Sequence, residues 1–331
     1  MGKSVLITGG AGFIGANFVR IALEQSDIER IVVLDKLTYA GSLDNLAGIL
    51  DDSRVKFIRG DIADANTAHA AMTDMDWVVN FAAESHVDRS LSDASPFIRT
   101  NIEGVRIMLE IATETKPARF VQISTDEVYG SLAEGASDEN APLRPSSPYS
   151  ASKAAADMLC NAFATSFDVP VIIARSSNNY GPYQYPEKLI PRFVALAMQD
   201  SPLPLYGDGK YMRDWLHVAD NCRAILMLLR EGKIGEIYNI GASELHENIE
   251  IAAILLQLLG KPEQLISHVA DRLGHDRRYC VNWEKIAALG WRPLAKFGDE
   301  FAATIQWYRD RSAWLQTKSR EAEKFYGAQA E

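Results

Sequence analysis

The chain has 331 residues, a length that favours two domains or one large one. A hydrophobic fraction of 47% is ordinary for a globular protein, and the net charge of −10 argues against a nucleic-acid partner, because phosphate binding needs a basic surface. Three widely spaced cysteines, no metal-ligand spacing and no signal-peptide or membrane-spanning pattern predict a cytoplasmic protein without a metal or membrane contact. Only the tail after Trp314 looks weakly held.

A glycine-rich loop follows the first predicted strand. The apolar strand over 3–8 runs into Gly9, Gly12 and Gly15, and an amphipathic helix over 16–24 follows. Glycine allows a tight turn and a close backbone approach to a pyrophosphate, whose charge then sits at the helix N-terminus. Glycine clusters also make ordinary turns, but the order strand, loop, helix favours dinucleotide binding.

The next two strands end in carboxylates. The strand over 31–34 ends in Asp35, which is twenty residues after Gly15. A carboxylate there accepts hydrogen bonds from a ribose hydroxyl and repels a 2′-phosphate, so we expect NAD rather than NADP. The strand over 55–60 ends in Asp61, which is either an adenine contact or a plain turn residue.

A fourth strand is predicted over 77–83, where the small side chains of Ala82 and Ala83 would let the backbone approach a cofactor. We expect a polar loop over 84–90 and then a long helix over 96–113.

The fifth strand ends in a row of polar residues. Ser124, Thr125, Asp126 and Glu127 directly follow an apolar run, and Gly130 stops the segment. In open parallel sheets the ligand cleft lies beyond the carboxyl ends of the strands, so two adjacent carboxylates there are candidate acid and base groups.

A helix over 148–167 carries Tyr149 and Lys153 four residues apart, on one helical face. A lysine ammonium near a phenol stabilises the phenolate, so we expect a lowered pKa for Tyr149 and a base at neutral pH. An isolated pair of this kind is more often an exposed surface pair, but the glycine-rich nucleotide loop upstream favours a catalytic role for this one.

The alternation of strands and helices, ending in a strand over 169–175, predicts an α/β fold: a doubly wound (Rossmann) parallel sheet with a smaller C-terminal α/β substrate domain. We expect residues 1–180, rejoined by 213–241, to bind a dinucleotide. Residues 181–212 and 242–331 would then form the second domain.

Cations are scattered through the second half. Lys188, Arg192 and Arg213 are joined by the basic segment 272–278. Each can be a solvated charge, but beyond a nucleotide fold in an acidic chain they suit a second diphosphate. A helix is expected over 213–230.

These motifs resemble the extended short-chain dehydrogenase/reductase superfamily acting on nucleotide sugars, and within it the dTDP-glucose 4,6-dehydratase family. The resemblance covers almost the whole chain and fails only in the last residues. Besides the glycine loop and the Tyr149–Lys153 pair, it rests on the stretches 35–41, 83–90, 124–130, 178–184, 207–209, 213–215 and 274–278.

The resemblance implies dehydration of dTDP-glucose to the 4-keto-6-deoxy sugar nucleotide, with tightly bound NAD recycled as an internal redox relay. Tyr149 beside Lys153 would take the O4 proton, and Thr125 would polarise the C4 oxygen. Glu127 would take the C5 proton, and protonated Asp126 would assist departure of the C6 hydroxyl. Which carboxylate is the acid comes from the family and not from the spacing.

The resemblance also implies binding residues and a homodimer paired through helices near 96–113 and 148–166. For the cofactor these residues are Gly9, Gly12, Phe13, Ile14, Gly15, Asp35, Lys36, Leu37, Thr38, Asp61, Ile62, Phe81, Ala82, Ala83, Ser85, Thr100, Tyr149, Lys153 and Asn178. For the sugar nucleotide they are Ser85, Thr125, Asn178, Lys188, Leu189, Arg192, Pro204, Tyr206, Arg213, Asn248, Arg272 and His275.

Two alternatives remain at this stage. Another NAD-dependent sugar-nucleotide epimerase or decarboxylase would share Tyr149 and Lys153 but needs no acid for a C6 leaving group. A non-catalytic NAD-binding regulator can use the same fold, since fold does not determine function.

Overall fold

The computed structural model describes residues 2–327. Its strands are β1 (Lys3–Thr8), β2 (Ile28–Asp35), β3 (Val55–Arg59), β4 (Trp77–Asn80), β5 (Arg119–Thr125), β6 (Val171–Ser176), β7 (Asn178–Tyr180), β8 (Leu203–Tyr206), β9 (Met212–His217), β10 (Ile237–Ile240), β11 (Leu245–Glu247) and β12 (Ile266–Val269). Its helices are α1 (Phe13–Leu23), α2 (Ala65–Met72), α3 (Val87–Ser92), α4 (Ser95–Phe97), α5 (Val105–Thr115), α6 (Pro148–Phe167), α7 (Leu189–Ala197), α8 (Val218–Glu231), α9 (Asn248–Leu259), α10 (Glu284–Ala287), α11 (Phe297–Asp310) and α12 (Ser312–Gly327).

Seven strands form one parallel sheet in the order β3-β2-β1-β4-β5-β6-β10. Helices α1 and α8 contribute to the apolar core on one face, and α2, α5 and α6 contribute to the core on the other. Because helices cover both faces of this sheet, its strands are continuous apolar segments, and such segments can be recognised in the sequence. The predicted doubly wound fold is confirmed, and β10 rejoins the sheet beside β6 as expected.

Two smaller sheets lie outside this layer, one of β11, β9 and β7 and one of β12 and β8. Helices α7, α9 and α11 pack with them around a separate apolar core that includes Phe193, Leu255 and Phe301. This second core stands next to the carboxyl ends of β5 and β6, because β7 directly follows β6 in the chain.

The predicted helix over 213–230 is wrong in its first turn. Residues 212–217 form β9, which pairs with β7 and β11, and α8 begins only at Val218. His217 is the N-cap of α8, since its ring accepts a hydrogen bond from the Ala219 amide. The strand pairings that override the helical pattern are long-range contacts.

Two further expectations need correction. The loop over 84–90 ends earlier, because α3 begins at Val87 with His86 as its cap. The tail after Trp314 is not weakly held: it continues in α12, where Leu315 and Ala322 are fully buried. Residues 328–331 of that tail lie outside the described residues.

The predicted helix over 96–113 runs from Ser95 to Thr115 through a π-helical segment at Ile98–Gly104. Within residues 2–327, no helix is long and apolar enough to cross a bilayer. The same residues contain no group of histidine, cysteine and carboxylate side chains that could hold a metal ion.

Candidate active site

The glycine loop joins β1 to α1 at the carboxyl edge of the main sheet. Gly9 has φ +65°, and a Cβ added there would lie 2.6 Å from the backbone nitrogen of Ala82. A Cβ added at Gly15 would lie 2.3 Å from the carbonyl oxygen of Gly9. Gly12 caps α1 without a side-chain hydrogen bond, so the first N–H groups from Phe13 onward are available to a phosphate.

Asp35 ends β2 inside the same cavity. Its carboxylate accepts hydrogen bonds from the amides of Ala11, at 2.9 Å, and Leu37, at 2.7 Å, so it also holds the loop in place. Burial raises the pKa of Asp35, and these two hydrogen bonds oppose the rise. At the end of β3, Asp61 pairs with Lys36 at 2.8 Å.

The cavity beyond this edge collects most of the residues predicted for the cofactor. Those that line it are Gly9, Gly12, Phe13, Ile14, Gly15, Asp35, Lys36, Thr38, Asp61, Ile62, Phe81, Ala82, Ala83, Ser85, Thr100, Tyr149 and Lys153. Leu37 is not among the lining residues, and Asn178 lines the neighbouring cavity instead. These residues fit a dinucleotide. Side chains at Gly9 or Gly15 would collide with the backbone, and the N-terminus of α1 lines the cavity, where a pyrophosphate can approach it.

Sequence reasoning missed several lining residues of this cavity, among them Ser124, Gln184, Tyr185 and Glu187. Ser124 was visible as the first polar residue at the end of β5. The other three precede α7 and reach the cavity only through the fold of the second unit.

Helix α6 brings Tyr149 and Lys153 into this cavity. The helix starts in a capping box, in which Ser147 and Ser150 each bond the other's backbone amide at 3.0–3.1 Å. Both functional side chains are buried, and the Lys153 ammonium donates to the carbonyl of Ile123 at 2.5 Å. The turn therefore presents both groups from a fixed backbone.

The expected lowering of the Tyr149 pKa is wrong for this structure. Burial raises it, and the negative charge of Glu127 raises it further, while the side-chain interaction with Thr125 opposes the rise. Burial also lowers the pKa of Lys153, to about 8. The physical reason is that both groups lose hydration of their charged forms when they leave water.

Thr125 ends β5, and a 3₁₀ turn over Asp126–Tyr129 follows. The Thr125 hydroxyl accepts from the Glu127 amide at 3.2 Å and donates to the Asp126 carboxylate at 3.2 Å. This capped turn fixes both carboxylates next to the strand end.

The two carboxylates have different surroundings. Asp126 is 3% exposed, and burial together with the charges of Glu127 and Asp214 raises its pKa well above the usual range. Burial raises the pKa of Glu127 as well, but the cations Lys188, Arg272 and Arg213 oppose that rise. The environment therefore favours a proton on Asp126 more strongly than on Glu127.

A second cavity adjoins the first and shares Glu187 and Lys188 with it. Glu127 lines it, as do these residues predicted for the sugar nucleotide: Asn178, Lys188, Leu189, Arg192, Pro204, Tyr206, Arg213, Asn248, Arg272 and His275. Ser85 lines the first cavity, and Thr125 lines neither. Lys188 stands at the junction, where its ammonium donates to the Ser85 carbonyl at 2.7 Å.

Several polar atoms along the second cavity have no protein partner. Among residues 2–327, no hydrogen bond satisfies the buried Asn178 Oδ1, Asn248 Oδ1, Trp215 Nε1 and Arg272 Nε. Buried polar groups are nearly always paired, so four such atoms beside one cavity indicate a polar ligand. The cavity favours an anionic ligand, because four cations line it: Lys188, Arg192, Arg213 and Arg272.

Sequence reasoning missed Asp88, which also lines this cavity. Its carboxylate accepts from Arg272 and from the Tyr206 hydroxyl, both at 3.2 Å. Asp88 therefore ties α3, on the main sheet's side, to two residues of the second unit. The segment 84–90 contains it, but the sequence does not show which residues lie opposite.

These features together are typical of an extended short-chain dehydrogenase/reductase: a doubly wound sheet, a glycine loop, a Tyr-x-x-x-Lys pair and an adjoining cavity lined by cations. The family model described as GDP-mannose 4,6 dehydratase matches residues 6–304, and the chain belongs to that family.

Its relatives narrow the comparison. The dTDP-glucose 4,6-dehydratase of Streptomyces niveus is 47% identical over 315 residues, covering 94% of each chain. The low-salt glycan biosynthesis protein Agl12 of Haloferax volcanii is 49% identical over 304 residues, covering 92% of this chain and 98% of that protein. The solved dTDP-glucose 4,6-dehydratase DesIV of Streptomyces venezuelae, with NAD bound, superposes with a TM-score of 0.93 at 45% identity, covering 95% of this chain and 99% of that one.

A solved epimerase is similar in fold but more distant in sequence. The UDP-glucuronic acid 4-epimerase of Bacillus cereus, in complex with NAD, has a TM-score of 0.88 at 28% identity, covering 93% of this chain and 99% of that one.

Proposed function

We propose that the protein is an NAD-dependent 4,6-dehydratase that converts dTDP-glucose to the 4-keto-6-deoxy sugar nucleotide. The observation that carries this function is the carboxylate pair Asp126–Glu127, which the Thr125-capped turn holds at the end of β5 and whose charges act on Tyr149. Oxidation at C4 needs only the tyrosine and lysine. The extra acid and base are what elimination of water requires.

NAD, when bound in the first cavity, would supply the hydride chemistry by accepting hydride from sugar C4 and returning it to C6. The loop of Gly9, Gly12 and Gly15 would hold its pyrophosphate, and Asp35 a ribose hydroxyl.

Tyr149 takes the proton from O4 of the sugar. The Lys153 ammonium stabilises the phenolate that forms, because an opposite charge nearby favours the ionised state. Thr125 orients the reacting oxygen through its hydroxyl. Since Tyr149 starts with a raised pKa, deprotonation depends on the positive charge held around it.

Glu127 then removes the proton on C5, which the 4-ketone has made acidic. Asp126 gives a proton to the C6 oxygen, so that water rather than hydroxide leaves. The different surroundings of the two carboxylates support these assignments, because Asp126 favours the protonated form and Glu127 lies among three cations.

The second cavity would bind the sugar nucleotide. Lys188, Arg213 and Arg272 suit the diphosphate, while Pro204 and Tyr206 form the wall for the base. In this proposal residues 1–180 with 213–241 bind the dinucleotide, and 181–212 with 242–331 hold the sugar nucleotide. The two separate apolar cores support that division.

A homodimer paired through the helices near 96–113 and 148–166 is part of the proposal. Large apolar side chains are exposed on these helices: Ile98 is 55% exposed, Met158 65% and Phe167 59%. Apolar patches of this kind mark association surfaces. The three unpaired cysteines agree with a reducing, cytoplasmic compartment.

The test is a panel of nucleotide-glucoses incubated with purified protein, without added NAD, and analysed by mass spectrometry. We expect the dTDP-glucose product to have lost one water, and turnover without added cofactor to show that NAD is retained. A product of unchanged mass would show that the protein is an epimerase and not a dehydratase. No turnover of any nucleotide sugar, by wild type and Tyr149→Phe alike, would favour a binding protein.

A further inference from the structure

Behind the Tyr149–Lys153 pair lies a buried ion pair that the reaction steps do not use. Asp157 accepts from the guanidinium of Arg175 at 2.8 Å, and the two side chains are 1% and 3% exposed. Such pairs pay for their desolvation and often add nothing to stability compared with apolar residues. Stability alone is therefore a poor explanation for this one.

The position of Asp157 supplies another explanation. It follows Lys153 by four residues on α6, so the two side chains share one helical face. The Lys153 ammonium itself donates to the carbonyl of Ile123 on β5. One carboxylate oxygen, Asp157 Oδ1, has no hydrogen-bond partner among the described residues 2–327.

A hydrogen-bonded chain anchors the ion pair from behind. Arg175, on β6, donates to the Tyr129 hydroxyl at 2.8 Å, and that hydroxyl donates to Asn239 at 2.8 Å. These links fix the guanidinium to the sheet, and the guanidinium in turn holds Asp157. The carboxylate is thus held in place by the fold rather than by Lys153 itself.

The charges around Lys153 all come from a few elements. Burial lowers the pKa of Lys153 to about 8, and Asp157, followed by Cys160, acts in the opposite direction. Burial raises the pKa of Asp157, and Arg175, followed by Ser124 and Lys153, opposes that rise. Groups that act on this site include Asp157 and Cys160 from α6, Ser124 and the Ile123 carbonyl from β5, Arg175 from β6, and, through Tyr149, Asp126 and Glu127.

We propose that Asp157 is a positioning residue for the reaction: its carboxylate, locked by Arg175, keeps the Lys153 ammonium charged and directed at the phenol of Tyr149. This inference rests on the proposed function, because Lys153 has its role there. Asp157 itself contacts neither cavity.

The first test measures Lys153 directly and needs no catalysis. Purified protein with its NAD is labelled with ¹³C at lysine Cε, the Lys153 signal is assigned with Lys153→Arg, and its pH titration is followed by NMR. We expect wild type to titrate near pH 8 and Asp157→Asn lower by about one unit or more, because an opposite charge has been removed. An unchanged Lys153 titration in Asp157→Asn overturns the proposal, whether or not the protein dehydrates a nucleotide sugar.

The second test is the pH dependence of kcat/KM. The charged form of Lys153 is lost as the pH rises through its pKa, so kcat/KM falls on the alkaline side of the pH profile. This alkaline limb should move to lower pH in Asp157→Asn. A purely structural residue would lower activity at all pH values without moving the limb, and this result would refute the inference.

Two variants complete the design. Tyr129→Phe loses the outer hydrogen bond of the same chain but keeps the Asp157–Arg175 ion pair. Its alkaline limb should therefore move less than that of Asp157→Asn, and a shift equal to that of Asp157→Asn would assign the effect to general loosening. Thermal unfolding checks that Asp157→Asn is folded, with the smaller Asp157→Ser as the second variant. If both fail to fold, the ion pair belongs to the fold and the proposal is wrong.

Discussion

Replacing Glu127 by glutamine should separate the two halves of the reaction. Glu127→Gln keeps the size of the side chain but removes the base proposed for elimination. In the proposed mechanism, oxidation at C4 uses Tyr149 and Lys153, which the substitution leaves in place. The variant should therefore oxidise the sugar and then stall.

The structure gives the size and direction of each effect. Loss of a positioned general base slows its step by about 10²–10⁴-fold, or about 3–5 kcal/mol in the barrier. The charge of Glu127 raises the pKa of Tyr149, so its removal lowers that pKa and makes the phenolate easier to form. The first step should accordingly slow by less than about tenfold.

The assay follows the ultraviolet absorbance of reduced nicotinamide after dTDP-glucose is mixed with the purified variant. We expect absorbance to rise to nearly one reduced cofactor per active site and to persist, whereas wild type returns to its starting level. Thr125→Val is the matched comparison, since it affects the C4 oxygen and should slow the rise itself. If Glu127→Gln forms product without accumulating reduced cofactor, Glu127 is not the base.

Three other substitutions test the rest of the structure. Gly15→Ala should abolish retention of NAD, measured on the purified protein, because its Cβ would lie 2.3 Å from a backbone oxygen; Gly298→Ala, with no atom within 4 Å, should retain it. Leu315→Ala should lower the free energy of unfolding by about 2–5 kcal/mol in urea, since Leu315 is fully buried in α12. The exposed Gln316→Ala should change it by less than about 0.5 kcal/mol, and equal effects would mean that α12 is not packed. Met158→Asp should convert the proposed dimer to a monomer by light scattering, and an unchanged mass would exclude Met158 from the interface.

Much of the site could be predicted because its motifs are local. The glycine loop, Asp35 and the Tyr149–Lys153 pair each depend on spacing within one strand end or one helical turn. Local geometry follows directly from such spacing, and the described residues place all of these side chains along one cavity. The resemblance then supplied the residues of the second cavity, which are too far apart in the chain for spacing to connect them.

Other features depend on contacts between distant segments. Residues 212–217 are a strand because β7 and β11 pair with them, and the tail is ordered because α12 packs on α7. Asp88 became part of the site only when Arg272 and Tyr206 were found opposite it. No periodicity in the sequence encodes these partners.

The sequence by itself determined which groups are candidates for the chemistry, since Asp126, Glu127, Tyr149 and Lys153 lie in short motifs of recognisable spacing. Only the tertiary structure showed in which direction their pKa values move. Burial raises the pKa of Tyr149 and lowers that of Lys153, against the expectation from the pair alone. The reason is physical: a pKa depends on the water excluded and on the charges brought near, and both arise only when the folded chain brings distant segments together.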